Sequence, residues 1–212
     1  MGRFFEKIIN SSDGFFITAT GTSVGKTYIS ALLLKYTGGL YLKPVQTGTK
    51  DSDTVKKLSK LNKYHFSEEI YHFSNAVAPN IAAERNNDVI EIDKIALPNL
   101  NEHKFLIIEG AGGIYAPLSN NYFMIDLIKK FSLPAIIVAE DILGTLNHTI
   151  MTYKALTQNR CKVAFIVLNK YSPESYNFRC LSEIIKIPVL RVPYYKNFPG
   201  IHKIREIINE SI

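Results

Sequence analysis

Phe15-Phe16-Ile17-Thr18-Ala19-Thr20-Gly21-Thr22-Ser23-Val24-Gly25-Lys26-Thr27 is the stretch that decides how the rest of the chain is read. Its first three residues are apolar and strand-like. Its end, Gly-Lys-Thr, opens a run of helix-forming residues. Glycines between a strand and a helix let backbone N–H groups curl around a phosphate, and the helix N-terminus adds its dipole. A lysine there reaches the terminal phosphates of a nucleotide, and a threonine hydroxyl can ligate Mg²⁺. The usual G-x-x-x-x-G-K-[ST] pattern has a glycine where this chain has Thr20. The nucleotide reading therefore rests on Gly21, Gly25, Lys26, Thr27 and their placement.

Working outward, five more short apolar runs follow: Leu40–Leu42, Phe105–Ile108, Ala135–Ala139, Val163–Leu168 and Val189–Val192. Runs bounded by Gly, Pro or polar residues read as parallel strands buried on both faces. Helical patterns separate them at Thr27–Tyr36, Asp53–Asn62, Met124–Phe131, Leu146–Gln158, Ser175–Lys186 and His202–Asn209. This alternation predicts an α/β fold with a doubly wound, mostly parallel sheet and helices on both faces, P-loop NTPase-like. Residues 64–103 fit least well and read as an irregular helical excursion. No repeat or linker divides the chain, so residues 1–212 are expected to form one domain.

Composition narrows the partners. The 212 residues carry a formal charge of +6, but the lysines are dispersed. Lys56, Lys57, Lys60 and Lys63 read as a solvated helix face, and no aromatic–basic repeat points to nucleic acid. An anionic small molecule suits the charge better. The longest apolar run spans six residues, Val163 to Leu168, where a membrane span needs about 20. Met1 to Lys7 places an acid where a secretion signal needs an apolar stretch. Cys161 and Cys180 have no metal-like or redox spacing, which fits a reducing compartment. A cytoplasmic protein is the expectation.

In doubly wound sheets, ligands bind beyond the carboxyl ends of the strands. The second run leads to Lys43-Pro44-Val45-Gln46-Thr47-Gly48, with Asp53 nearby as a candidate metal ligand. The third ends in Glu109-Gly110-Ala111-Gly112-Gly113, an acid aimed at a metal or its water, followed by glycines that permit close backbone approach. The fourth leads to Leu143-Gly144-Thr145-Leu146-Asn147-His148, a loop entering a helix with backbone donors free for an anion. The fifth ends in Asn169-Lys170-Tyr171-Ser172. Guanine-specific switch proteins place Asn-Lys-x-Asp here, and Ser172 lacks that carboxylate. Asn169 can still pair with either purine. Pro193, Tyr194 and Tyr195 offer a wall for a base.

Assembled, these residues make the chain resemble dethiobiotin synthetase. The family's T-G-T-D-T-x-V-G-K-T loop is matched by Thr18–Thr27, with Ala19 and Gly21 where the family has Gly and Asp. Its K-P-V-x-[ST]-G is matched by Lys43–Gly48, and its S-D at a helix start by Ser52-Asp53. Its E-G-A-G-G followed by P-L is matched by Glu109–Gly113 and Pro117-Leu118, and its G-x-L-N-H-[AT] by Gly144–Thr149. The resemblance covers about residues 15–195.

It implies an ATP- and Mg²⁺-dependent ligase of biotin synthesis that joins CO₂ to 7,8-diaminononanoate and closes a cyclic urea, acting as a homodimer. Lys26 and Lys43 become catalytic. Ser23, Val24, Gly25, Lys26, Thr27, Tyr28, Asp53, Glu109, Gly110, Ala111, Gly112, Asn169, Lys170, Pro193, Tyr194 and Tyr195 become nucleotide-binding. Thr47, Gly112 and Leu143–Asn147 become substrate-binding. Thr27, Asp53 and Glu109 become the Mg²⁺ ligands. The alternative is a nucleotide switch of the partitioning-ATPase class, which carries a lysine where this chain has Gly21.

Overall fold

The computed structural model describes residues 3–100 and 103–210. Met1 and Gly2, where the reading against an export signal begins, lie outside the described residues. The strands are β1 (Gly14–Ala19), β2 (Leu40–Leu42), β3 (Val45–Thr47), β4 (Tyr71–Phe73), β5 (Leu106–Glu109), β6 (Ala135–Glu140), β7 (Val163–Tyr171) and β8 (Val189–Pro193). The helices are α1 (Arg3–Asn10), α2 (Lys26–Thr37), α3 (Asp51–Ser59), α4 (Pro79–Arg85), α5 (Met124–Phe131), α6 (Thr145–Gln158), α7 (Asn177–Ile184) and α8 (Ile201–Glu210). All six apolar runs are strands of one sheet, in the order β2-β5-β1-β6-β7-β8. Every pairing in it is parallel.

Both faces of the sheet are covered, which is why its strands are apolar throughout rather than alternating. Phe15, Ile17, Tyr41, Ile107, Ile136 and Val167 point to one side and pack with Ile29, Leu32 and Leu33 of α2, Val55 of α3 and Ile204 and Ile208 of α8. Phe16, Leu42, Ile108, Ile137 and Ile166 point to the other, against Ile125 and Ile128 of α5, Leu156 of α6 and Leu181 of α7. Alternate residues of β1 thus enter two different cores.

Three local readings need correction. The helical pattern at Thr27–Tyr36 implies a helix with a free polar face, yet Ile29 to Leu34 of α2 are all buried. That helix lies against the sheet while also packing on α3 and α8, so it has little free polar face. The helix expected from Asp53 begins at Asp51 and stops at Ser59, where Lys60 turns left-handed (φ 60°). Lys56, Lys57 and Lys60 are solvated as expected, but Lys63 lies beyond the helix. Residues 64–103 are not mainly helical. Among the described residues they hold the short strand β4, paired in parallel with β3, one α-helix, α4, and single 3-10 turns at Lys63–His65 and Ile92–Lys94. Their apolar side chains Phe73, Ala82, Ile90 and Ile95 complete one core, and so tether a loop-rich segment to the rim of the sheet.

The strand order reverses around β1: β5 and β2 lie on one side, and β6, β7 and β8 on the other. That reversal opens a crevice beyond the carboxyl end of β1. Residues 20–25 occupy it.

Candidate active site

A cavity of about 870 Å³ sits in that crevice. Gly21, Ser23, Gly25, Lys26 and Thr27 form one wall. Lys43, Gln46, Thr47 and Asp51 form another. Glu109, Ala111, Gly112 and Gly113 form a third, and Ala76–Pro79 with Ala116 close the side. Four separated sequence segments therefore converge because the ends of β1, β2 and β5 lie side by side.

Gly25 begins α2 with φ 101°, a backbone that only glycine adopts readily. A side chain there would also run into the Asn169 amide. Lys26 is nearly buried and curls back to donate to the Gly21 carbonyl, 3.1 Å away. Burial, helped by the nearby Lys43 charge, lowers its pKa to about 8. Lys43 is 2% exposed and forms ion pairs with Asp51 Oδ2 (2.7 Å) and Glu109 Oε1 (3.2 Å). It also donates to the Gly110 carbonyl at 3.0 Å. Burial alone would lower its pKa, but Glu109 and Asp51 more than offset this and hold it above the ordinary lysine value. Lys43 is thus held as a cation, whereas Lys26 titrates at about pH 8.

Thr27 Oγ1 lies 3.1 Å from Asp51 Oδ1 and 3.0 Å from Glu109 Oε1. One hydroxyl and two carboxylates, from α2, α3 and β5, make a compact set of hard oxygen donors that fits Mg²⁺. Among the described residues, no three His, Cys, Asp or Glu side chains gather as a metal site, so the set depends on the threonine.

The structure places Asp51 at the cavity where Asp53 was expected. Asp53 is exposed and lies away from the cavity, and Asp51 stands in its place. Both fall in the first turn of α3, but two residues along a helix is about 200° of rotation, so only one can face the site. Gln46 decides which. Its Oε1 accepts from the Asp51 backbone N–H at 2.9 Å, and its amide donates to the Thr47 and Thr49 carbonyls. Gln46 occupies the variable position of K-P-V-x-T-G, which is why the motif gave no sign of it.

Other assigned residues divide. Asn169 is buried and donates to the Val24 carbonyl at 2.9 Å, so one N–H of its amide braces the loop between β1 and α2. Lys170 is exposed and pairs with Glu140 at 2.7 Å. Tyr28 packs edge-on against Phe198 and lies close to Tyr195. Its buried hydroxyl lacks a hydrogen-bond partner, and burial with Tyr195 pushes its pKa to about 12. Tyr28 and Tyr195 thus stand together, while Tyr194 is 72% exposed. Leu143 to Asn147 do not line the cavity that holds Thr47. Leu143 is fully exposed and Ile142 half exposed. Ala76–Pro79 were missed altogether, because small apolar residues in a loop carry no chemical signal.

The chain matches the family profile described as an AAA domain over residues 13–198. It is 40% identical over 158 residues to the ATP-dependent dethiobiotin synthetase BioD of Lawsonia intracellularis, covering 73% of this chain and 75% of that one. It is 36% identical over 201 residues to the enzyme of the same name from Endomicrobium trichonymphae, covering 85% and 92%. The chain belongs to the dethiobiotin synthetase family. Among solved structures, it is similar to the cell division ATPase MinD of Pyrococcus furiosus, with a TM-score of 0.56, 15% identity and coverage of 94% and 98%. A ParA family ATPase from Chlorobium tepidum gives a TM-score of 0.53 at 14% identity, covering 94% and 90%. Those likenesses show the shared fold, P-loop α/β, and nothing finer.

Lys26 generates a pH prediction. Its folded pKa lies below its unfolded value of 10.5. Its charge therefore costs stability in full below about pH 8, and this cost fades as pH rises from 8 to 10.5. A bound triphosphate favours the charged form and raises the pKa. Nucleotide binding should then take up a proton above about pH 8, with affinity falling by up to about tenfold per pH unit. Calorimetry at pH 7 and 9, in buffers of different ionisation enthalpy, measures this. Proton uptake at pH 9 but not at pH 7 is expected, and an affinity unchanged between them contradicts it.

Proposed function

We propose that this chain, read as one unit over residues 1–212, converts 7,8-diaminononanoate, CO₂ and ATP to dethiobiotin, ADP and phosphate. Family membership and the convergence of Lys26, Lys43, Thr27, Asp51 and Glu109 on one cavity support this reading.

The chemistry follows from what the reactants need. One amine of the diamine adds to CO₂ and loses a proton, giving a carbamate. A carbamate is a poor acyl donor. Its oxygen attacks the γ-phosphorus, the bond to the ADP oxygen breaks, and a carbamic–phosphoric anhydride forms. The second amine then attacks the carbonyl carbon, phosphate leaves, and the ring closes with loss of a proton. Phosphoryl transfer of this kind is a problem of positioning and charge. The ammonium groups of Lys26 and Lys43 hold the γ-phosphoryl oxygens and the carbamate, and the backbone of Ser23–Gly25 cradles the phosphates. Thr47 and Gly112 orient the diamine. Thr27, Asp51 and Glu109 would hold Mg²⁺, which would supply positive charge beside the phosphates.

The two lysines and the two carboxylates balance within the cavity, so the anionic reactants bring the excess charge. Lys43→Gln should then lose turnover by roughly 10²–10³-fold, while ATP affinity changes by less than about tenfold. Phosphate release with and without the diamine and bicarbonate, beside calorimetry with ATP, measures both. Turnover that ignores the diamine would overturn the assignment.

The active unit in this reading is a homodimer. The consecutive exposed apolar residues Ile142 and Leu143 support it, because adjacent exposed apolar groups favour an interface. In this arrangement the Leu143–Asn147 loop of one copy completes the diamine site of the other. Leu143→Arg should yield monomers in sedimentation and raise KM for the diamine by about tenfold, leaving ATP affinity unchanged. A fully active monomer contradicts it. A cytoplasmic setting accords with Cys161 and Cys180 both being free thiols, and among the described residues no helix is long and apolar enough to cross a membrane.

A further inference from the structure

Glu109 is fully buried, and its two carboxylate oxygens have different surroundings. Oε1 faces the cavity, 3.0 Å from Thr27 Oγ1 and 3.2 Å from Lys43 Nζ. Oε2 faces away from it and accepts from Ser30 Oγ at 2.6 Å and Tyr41 Oη at 3.0 Å. Ser30, on α2, and Tyr41, on β2, are both wholly buried, and neither lines the cavity. Each hydroxyl has one proton to donate, and each aims at the same oxygen. Two donors arriving from a helix and a strand fix the carboxylate plane, so that it cannot rotate Oε2 toward the site.

We propose that Tyr41 and Ser30 are positioning residues for metal binding: by occupying Glu109 Oε2 they keep Oε1 presented to the metal–nucleotide complex. The inference rests on the reading of Thr27, Asp51 and Glu109 as Mg²⁺ ligands. Hydroxyls that orient a ligating carboxylate usually govern metal affinity by about 10–100-fold when removed. Tyr41 has its position dictated by packing as well, since its ring lies 5.9 Å from that of Phe66. Tyr41→Phe keeps that ring and removes only the donor. Ser30→Ala, inside a helix, likewise leaves a residue of high helix propensity.

The test compares wild type, Tyr41→Phe, Ser30→Ala and Glu109→Gln. Mn²⁺ affinity is read by electron paramagnetic resonance in the presence of a non-hydrolysable ATP analogue. Affinity for the same analogue is read in chelator without metal, and thermal melting checks the fold. Expected is a loss of about tenfold or more in Mn²⁺ affinity for each hydroxyl variant. Metal-free nucleotide affinity should stay within about twofold of wild type, because the phosphate loop is untouched. A merely structural role would move both affinities together, or neither, and would overturn the proposal. Wild-type Mn²⁺ affinity in both hydroxyl variants, with a clear loss in Glu109→Gln, overturns the positioning role but leaves the metal reading standing. Wild-type Mn²⁺ affinity in Glu109→Gln as well overturns both.

Discussion

A carboxylate at the end of β5, sealed from water, is the constraint around which the site is organised. An ionised acid in a protein interior is tolerated only when paired and hydrogen-bonded. Glu109 meets that demand with four donors: Ser30, Tyr41, Thr27 and Lys43. Each of those side chains is thereby fixed by the same requirement. Lys43, held by Glu109, in turn holds Asp51 on the same wall of the cavity at 2.7 Å. Removing any one member leaves another buried charge underpaired. The cluster consequently costs stability to assemble, and its orientation is what the packing of β2, β5 and α2 supplies.

The sheet topology explains why these groups can meet. β2, β5 and β1 are adjacent and parallel, so Lys43, Glu109 and the phosphate loop all emerge at one edge. The helix that follows the loop is buried on several sides, which fixes Thr27 against Glu109 with little freedom to move. Lys26 is held less firmly, by a single loop carbonyl, and its lowered pKa reflects an ammonium short of partners until an anion arrives. The site thus contains one cation that is permanently neutralised by protein acids and one that awaits the ligand.

Much of this was legible from residues alone. The six apolar runs stood out because strands buried on both faces show no polar alternation, and glycines or prolines bound them. Lys43 and Glu109 were found because each directly follows such a run, and Gly25-Lys26-Thr27 because it closes the loop that leads from the first run into a helix. Legibility failed where chemistry depended on rotation about a helix or on contacts across the fold. Asp51 and Asp53 are equivalent as letters, and the Gln46 hydrogen bond to the Asp51 N–H selects between them. Asn169 was recognised as important, but its partner, the Val24 carbonyl, is 145 residues away in sequence. Ala76–Pro79 and β4 stayed hidden because a three-residue strand and a small apolar loop lie below any periodic signal.

In the proposed reaction the carbamate oxygen attacks the γ-phosphorus, so that the cavity activates a weak acyl donor instead of hydrolysing ATP. Supplying ¹⁸O-labelled bicarbonate with unlabelled ATP and diamine, and stopping within a single turnover, follows that oxygen directly. Mass spectrometry of the released phosphate should find one labelled oxygen, with the other retained in the cyclic urea. Unlabelled phosphate formed alongside labelled dethiobiotin would contradict the account, since it would mean that water, not the carbamate, had received the phosphoryl group.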